Sequence, residues 1–400
     1  MIERKEYLEQ LQGLKDKQII KVITGIRRCG KSTLLTMFQD QLRSDGVLSN
    51  QIVSINFEDF DFADLKEPEA LHSYVKNHLV PDKMTYVFLD EIQNVRDFPI
   101  VVESLFIKKN VDLYITGSNA YMLSDEIATL LSGRYIEIRM LPLSFKEYIA
   151  YTGSTNELSR KYADYLRESS FPYTTELGSD QKKIHDYLNG IYSTVVLKDV
   201  VGRHRIADSM MLESVIRFLF DNIGNPLSTK KISDTMTSDG RKIDTKTVER
   251  YIEALMESFI IYQAKRYDVK GKQYLKTLEK YYVVDLGMRR MLLRDRGTDV
   301  GHMLENIIYL ELLRRRYQVY IGKLEDTEVD FVAMNEKGFT YFQVAATVRE
   351  ETTLTRELRP LQKIPDNYPK YILTLDDDPI ADYGGIRRMN ALDFLMSEIS

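Results

Sequence analysis

Gly25, Gly30, Lys31 and Ser32 stand at the spacing of a glycine, four residues, then Gly-Lys-Ser, inside the segment GIRRCGKSTLL that runs from Gly25 to Leu35. Glycines at these places let the main chain approach a polyanion, and N–H groups left unpaired at a helix N-terminus point at it. The pattern predicts a phosphate-binding loop made of Gly25, Ile26, Arg27, Arg28, Cys29, Gly30, Lys31, Ser32 and Thr33. In such a loop the lysine, Lys31, reaches the β- and γ-phosphates of ATP, and the Ser32 hydroxyl ligates Mg²⁺. Arg27 and Arg28 fall in the variable part of the loop and read as solvated. Cys29 reads as a tolerated variable position where oxidation would block nucleotide.

A second constellation is TYVFLDE, a buried strand ending in two carboxylates. Asp90 is expected to hold the metal through its shell, and Glu91 to orient or deprotonate water. The next apolar run, VDLYITGSN, ends in Ser118 and Asn119. Either lies level with the γ-phosphate if its strand neighbours that of Asp90, and Asn119 is the candidate reporter of that group; the plainer reading is a turn with an Asn cap. Arg134 in LSGRYIEI is a candidate to neutralise charge on the γ-phosphate, within its own chain or across a contact in a homo-oligomer. A surface salt bridge is the alternative.

These residues need a scaffold, and residues 1–150 supply one. Five apolar runs (IIKVITG, IVSINFED, TYVFLDE, VDLYITGSN and GRYIEIRM) alternate with amphipathic segments at 31–43, 67–79 and 98–109. This order predicts an α/β domain with a parallel sheet and flanking helices. Residues 151–205, following PLSFKEYIAY, read as a helical lid or connector. Residues 206–290 read as three helices and a hairpin, the order of a winged helix. The second helix starts behind Ser228 and the third behind Asp244, and the hairpin turns near VKGKQ. Residues 291–400 form a last α/β segment.

VITGIRRCGKSTLL, VFLDEIQNV, YITGSNAYMLS and LSGRYIEIRMLPLSFKEY together resemble the AAA-type ATPases related to archaeal ATPases and signalling NTPases. The second half of that family carries a domain of uncharacterised function, and the resemblance extends over nearly the whole chain. It implies ATP binding and hydrolysis. Members of the wider superfamily often supply an arginine across a subunit contact, which favours Arg134. EVDFV and YFQVA resemble the second-half domain, which is likened to restriction endonucleases.

Nucleases of that type place a helix Glu, a strand Asp and an acid-x-Lys around Mg²⁺. Here Glu305 lies on a helix and Glu328 and Asp330 on a strand, but Gln343-Val344-Ala345 stands where acid-x-Lys belongs. A lysine would have to reach in from elsewhere, Lys323 or Lys337. The plainer reading is a nuclease-like fold without the chemistry, whose Glu305 and Asp330 pair with the arginines of LLRRR.

Composition bounds the rest. A chain of 400 residues holds two or three domains. Its single cysteine excludes a disulfide framework and a cysteine-based zinc cluster. No apolar run approaches the ~18–20 residues of a membrane span, so the expectation is a cytoplasmic protein with no membrane partner. The net charge of −5 argues against a general nucleic-acid coat, yet Pro226–Arg290 holds 14 Lys or Arg against 9 Asp or Glu. DNA is therefore expected at the winged-helix segment, through Lys246, Thr247 and Arg250 of its third helix and Lys265, Arg266, Lys270 and Lys272 of its hairpin. The sequence thus points to a Mg²⁺-dependent ATPase whose nucleotide state controls C-terminal modules that bind a partner. A nucleotide-dependent DNA-binding switch with little turnover and an ATP-dependent nuclease are the alternatives.

Overall fold

The computed structural model describes residues 2–120, 133–153, 157–293 and 299–398, with the backbone alone for 274–277. It divides into two compact units: residues 1–142 with 257–259, and residues 143–256 with 260–400.

The first unit opens with helix α1 (Lys5–Leu14) and strand β1 (Ile20–Thr24), then α2 (Lys31–Ser44), β2 (Ile52–Asn56), α3 (Pro68–Asn77), β3 (Thr85–Asp90), α4 (Phe98–Phe106), β4 (Val111–Gly117) and β5 (Tyr135–Arg139). Each strand falls within an apolar run of the sequence. The strands pair in the order β2-β3-β4-β1-β5, and every pair is parallel. β1, β3 and β4 are buried along their whole length, as strands covered on both faces must be. One apolar cluster joins Val22, Val87, Leu89 and Ile115 of the sheet to Leu71, Val102 and Leu105 of α3 and α4.

The sheet also buries an ion pair. Lys21 of β1 and Asp112 of β4 pair directly, and Asp112 also accepts from Tyr114 Oη and the Asp16 N–H, each at 2.9 Å. Burial drives the Lys21 ammonium below its ordinary pKa and the Asp112 carboxyl above its own, although each partner opposes this in the other.

In the second unit the helices Ser209–Asp221, Thr229–Ser238 and Thr245–Glu257 precede an antiparallel hairpin, β6 (Ile261–Asp268) and β7 (Gln273–Val283). The caps are those the sequence signals: Ser228 Oγ accepts from the Lys231 N–H and Asp244 Oδ1 from the Thr247 N–H. An isolated bridge joins Leu227, ahead of the second helix, to Glu279 of the hairpin. After helix Val300–Arg314 come β8 (Gln318–Leu324), β9 (Thr327–Asn335), β10 (Gly338–Ala345), helix Glu351–Gln362, β11 (Lys370–Thr374), β12 (Ala381–Asp382), β13 (Ile386–Asn390) and a short helix Ala391–Met396.

The structure differs here from a free-standing wing followed by a separate domain. β6 pairs in parallel with β8 through Arg266–Asp268 and Ile321–Lys323, so the hairpin forms one edge of an eight-stranded mixed sheet, β12-β13-β11-β10-β9-β8-β6-β7. Pairing with β8 gives β6 hydrogen-bonding partners on both sides, which an isolated wing lacks. The two compact units divide at 142/143, near the division expected at 150, and no division between compact units falls at 205 or 290.

Candidate functional site

The C-terminal ends of β1, β3 and β4 open onto one edge of the first sheet, where parallel α/β sheets hold ligands. β4 lies between β1 and β3, so Gly25, Asp90 and Glu91, and Ser118 and Asn119 follow three adjacent strands.

The loop after β1 is shaped by close packing. Gly25 (φ 148°) has no room for a side chain, because a Cβ there would fall 2.2 Å from the Met140 carbonyl oxygen. Gly30 (φ 106°) takes a left-handed turn that leads directly into α2. Arg4, buried ahead of α1, donates to the carbonyls of Cys29 (3.0 Å) and Leu141 (2.7 Å) and so ties the loop to the chain after β5. Ile26 and Cys29 are wholly buried. The Cys29 thiol thus faces the core, and burial pushes its pKa up, so it is neither at the loop's open face nor readily oxidised. Arg27 is not solvated as expected; its side chain is 11% exposed and pairs with Glu58 at 2.9 Å. Arg28, Ser32 and Thr33 are exposed.

Lys31 Nζ is folded back onto its own loop. It donates to the carbonyls of Gly25 (3.0 Å) and Ile26 (3.4 Å) and lies 3.5 Å from Glu91 Oε1. The Ser32 hydroxyl lies close enough to Asp90 to favour its ionised form, Thr116 Oγ1 donates to Asp90 Oδ1 at 2.5 Å, and Thr116 Oγ1 accepts the Glu91 N–H at 2.9 Å. Glu91 holds a left-handed backbone (φ 55°, ψ 45°) that turns its carboxylate away from the strand direction and toward Lys31.

Electrostatics separates the two acids. Burial pushes the Asp90 carboxyl above the ordinary range against its bonds from Ser32 and Thr116. Burial acts on Glu91 in the same sense, but Lys31, Gln93, Arg27 and Ser118 together hold it below that range, so it stays ionised. Asn119 is 2% exposed, and among the described residues neither of its amide atoms has a hydrogen-bond partner. Two unpaired buried polar atoms beside a glycine loop and a lysine held only by carbonyls and one carboxylate fit a polyphosphate.

Arg134 lies elsewhere. Its carbonyl accepts from the N–H of Ile20 (2.9 Å) at the start of β1, so it sits at the opposite edge of the sheet, roughly 16 Å from the loop at ~3.3 Å per residue. Its side chain is 45% exposed, 3.4 Å from Glu103. A role at the γ-phosphate of its own chain does not fit that position. Thr116, Gln93 and Arg4 are the residues the sequence reading missed. Thr116 lies within the TGSN segment, Gln93 stands two residues beyond the acidic pair, and nothing in sequence marked Arg4.

The comparisons with known proteins agree with this geometry. Residues 17–149 match the family model described as AAA domain, and residues 159–299 match a domain of unknown function. An uncharacterized protein of Haemophilus influenzae is 38% identical over 99% of each chain. The chain belongs to the AAA-domain P-loop ATPases. An uncharacterized protein of Methanocaldococcus jannaschii is 29% identical over 90% of this ATPase and 82% of its own length. The solved Walker-type ATPase of Pyrococcus abyssi shares the fold with a TM-score of 0.50 at 15% identity, covering 73% of this chain and 96% of that one.

The second unit of the ATPase holds another charged cluster. Lys280 Nζ, 5% exposed on β7, lies 3.0 Å from Glu305 Oε1, 3.0 Å from Glu328 Oε1 and 3.6 Å from Asp330 Oδ1. Tyr282 Oη also donates to Glu305 Oε1 at 2.6 Å, and the Val344 N–H to Asp330 Oδ2 at 2.9 Å. The sequence offered Lys323 and Lys337 for this place. Lys323 lies on β8 opposite Glu328, Lys337 is exposed in the turn after β9, and the lysine that enters the cluster comes from the hairpin. Nor do Glu305 and Asp330 pair with the arginines of LLRRR; Arg314 and Arg315 pair with Glu311. Gln343 bonds Glu357 (2.8 Å) and the Asp330 N–H (3.3 Å), and Ala345 ends β10 without an amine.

On the helix Thr245–Glu257, Lys246 and Arg250 are exposed, while Thr247 is occupied by Asp244. On the hairpin Lys265 and Lys272 are exposed, Lys270 pairs with Glu325 (2.6 Å), and Arg266 lies 3.8 Å from Glu328. Among the described residues no helix is long and apolar enough to cross a membrane.

Proposed function

We propose that the first unit binds ATP with Mg²⁺ at Gly25–Thr33 and hydrolyses it. Lys31 leaves the Gly25 and Ile26 carbonyls to neutralise the β- and γ-phosphates, and the Ser32 hydroxyl and Asp90 hold the metal. Mg²⁺ supplies charge neutralisation on the phosphate oxygens. Glu91, ionised and buried, accepts a proton from the attacking water, and Asn119 pairs its unsatisfied amide with the γ-phosphate. The observation that carries this reading is the meeting of Lys31 with Glu91, and of Ser32 with Asp90, at the open edge of a parallel sheet.

The nucleotide state then governs how the second unit holds a partner. Exposed Lys246 and Arg250, on a helix that stands third before a hairpin, support DNA as that partner. Lys280 is already paired with Glu305, Glu328 and Asp330, and Gln343 is engaged with Glu357, which supports binding rather than cutting. An arginine acting on the γ-phosphate comes, on this reading, from another copy of the chain. Lys31→Ala tests the site: it abolishes nucleotide binding measured by titration calorimetry, and unchanged affinity would contradict the assignment.

A further inference from the structure

Gln93 stands two residues beyond Glu91, in the short 3₁₀ turn Ile92–Asn94 that leaves β3. Its Nε2 donates to Glu91 Oε2 and lies 3.4 Å from Ser118 Oγ. An ionised carboxylate only accepts, so the amide nitrogen must be the atom that faces it, and this fixes the orientation of the side chain. Gln93 Oε1 then points the other way. It is buried and has no hydrogen-bond partner among the described residues. A buried acceptor without a donor is rare in folded proteins and marks a place where a donor belongs.

Among the described residues, the two amide atoms of Asn119, one residue beyond Ser118, are also unpaired at this edge. The acceptor of Gln93 is therefore free on the side chain that grips Glu91. Resting on the assignment of Glu91 as the base, we propose that Gln93 positions the attacking water together with Glu91. Nε2 fixes the carboxylate, and Oε1 accepts one hydrogen of the water while Glu91 accepts the other. The water oxygen bonds to the γ-phosphorus, the bond from that phosphorus to the β–γ bridging oxygen breaks with its electron pair leaving on ADP, and the proton taken by Glu91 passes on to the phosphate released. Gln93 is unchanged by the cycle. A water held at two points loses rotational freedom before reaction, which is the source of the rate gain.

The test compares Gln93→Met, which keeps length and volume, with Gln93→Ala and with Glu91→Gln in the full chain, measuring ATP turnover from pH 5 to 9 and nucleotide affinity separately. The expected result is a 10- to 100-fold loss of kcat, on the scale of positioned proton-transfer partners, with nucleotide affinity and KM within about twofold of the parent. A fall in kcat with nucleotide affinity and KM kept is what a merely structural role would not produce. In the Glu91→Gln background, Gln93→Met causes no further loss. If Glu91→Gln stops turnover while both Gln93 variants keep the parental rate, this inference is overturned and the base assignment stands. Loss of nucleotide affinity in parallel with kcat in both Gln93 variants overturns it too, showing a residue that only shapes the turn. Parental turnover in Glu91→Gln removes the base itself.

Discussion

Replacing Lys280 with methionine removes a cation and keeps most of the side chain's volume. In the folded protein Lys280 and Glu305 are almost wholly buried, while Glu328 is 27% and Asp330 14% exposed. Removing one partner of a buried ion pair costs about 3–5 kcal/mol, because the charges left behind are poorly solvated. Water at Glu328 screens its share, so the lower end, about 3 kcal/mol, is expected at pH 7.5. At roughly 2–4 °C per kcal/mol for a unit of this size, the transition seen by calorimetry falls by about 6–12 °C.

The pH dependence identifies the cause. Burial first, and then Glu305, raises Asp330 from 3.8 to about 7. A raised folded pKa means that the native state binds the extra proton, so the stability contributed by Asp330 is full below about pH 4 and lost as pH rises through 7. Without the ammonium, which opposes the shift, Asp330 holds its proton more tightly still. The deficit of Lys280→Met is therefore smaller at pH 5 than at pH 7.5, and Asp330→Asn in the same background recovers part of it. An unchanged transition at pH 7.5, or an equal fall at both pH values, would refute the account of a buried lysine that pairs with three acids.

Two further outcomes follow from the geometry. Thr116→Val leaves the Glu91 N–H without its acceptor and removes one donor from Asp90, at a stability cost of about 1–3 kcal/mol. Steady-state kinetics should show kcat down on the order of tenfold with ATP affinity in EDTA unchanged, since the change touches the acids and not the loop. If DNA is the partner, Lys246→Ala and Arg250→Ala each weaken binding about equally across sequences. Each also lowers the slope of log affinity against log salt by about 0.9, read from anisotropy titrations, whereas an unaltered slope places the interface elsewhere.

The first sheet was legible because its strands are short apolar runs and its chemistry sits where they end. Asp90, Glu91 and Asn119 all follow directly from a run that must be buried. Position along a strand is harder to read: Arg134 precedes its strand while the loop follows β1, and parallel pairing puts the two at opposite edges. The helices before the hairpin were legible from Ser228 and Asp244, whose capping bonds are local. The joining of β6 to β8 was not, because parallel pairing across more than 50 residues leaves no local pattern.

Charged residues inside strands were the least legible. Lys21 in IIKVIT and Asp112 in VDLYIT give no sign that they meet, and Lys280 reads as the solvated face of a ribbon until its edge strand is set against Glu305. In each case the partner is fixed by sheet order, a tertiary property. Gln93 and Arg4 escaped notice for a related reason, since each acts through a backbone or side-chain contact that spacing alone does not specify.

The most direct test of the central claim is ATP binding and single-turnover hydrolysis by Glu91→Gln beside the parent chain with Mg²⁺. The account predicts nucleotide affinity within about twofold of the parent and a rate lower by 10²–10⁴. Hydrolysis at the parental rate would contradict it.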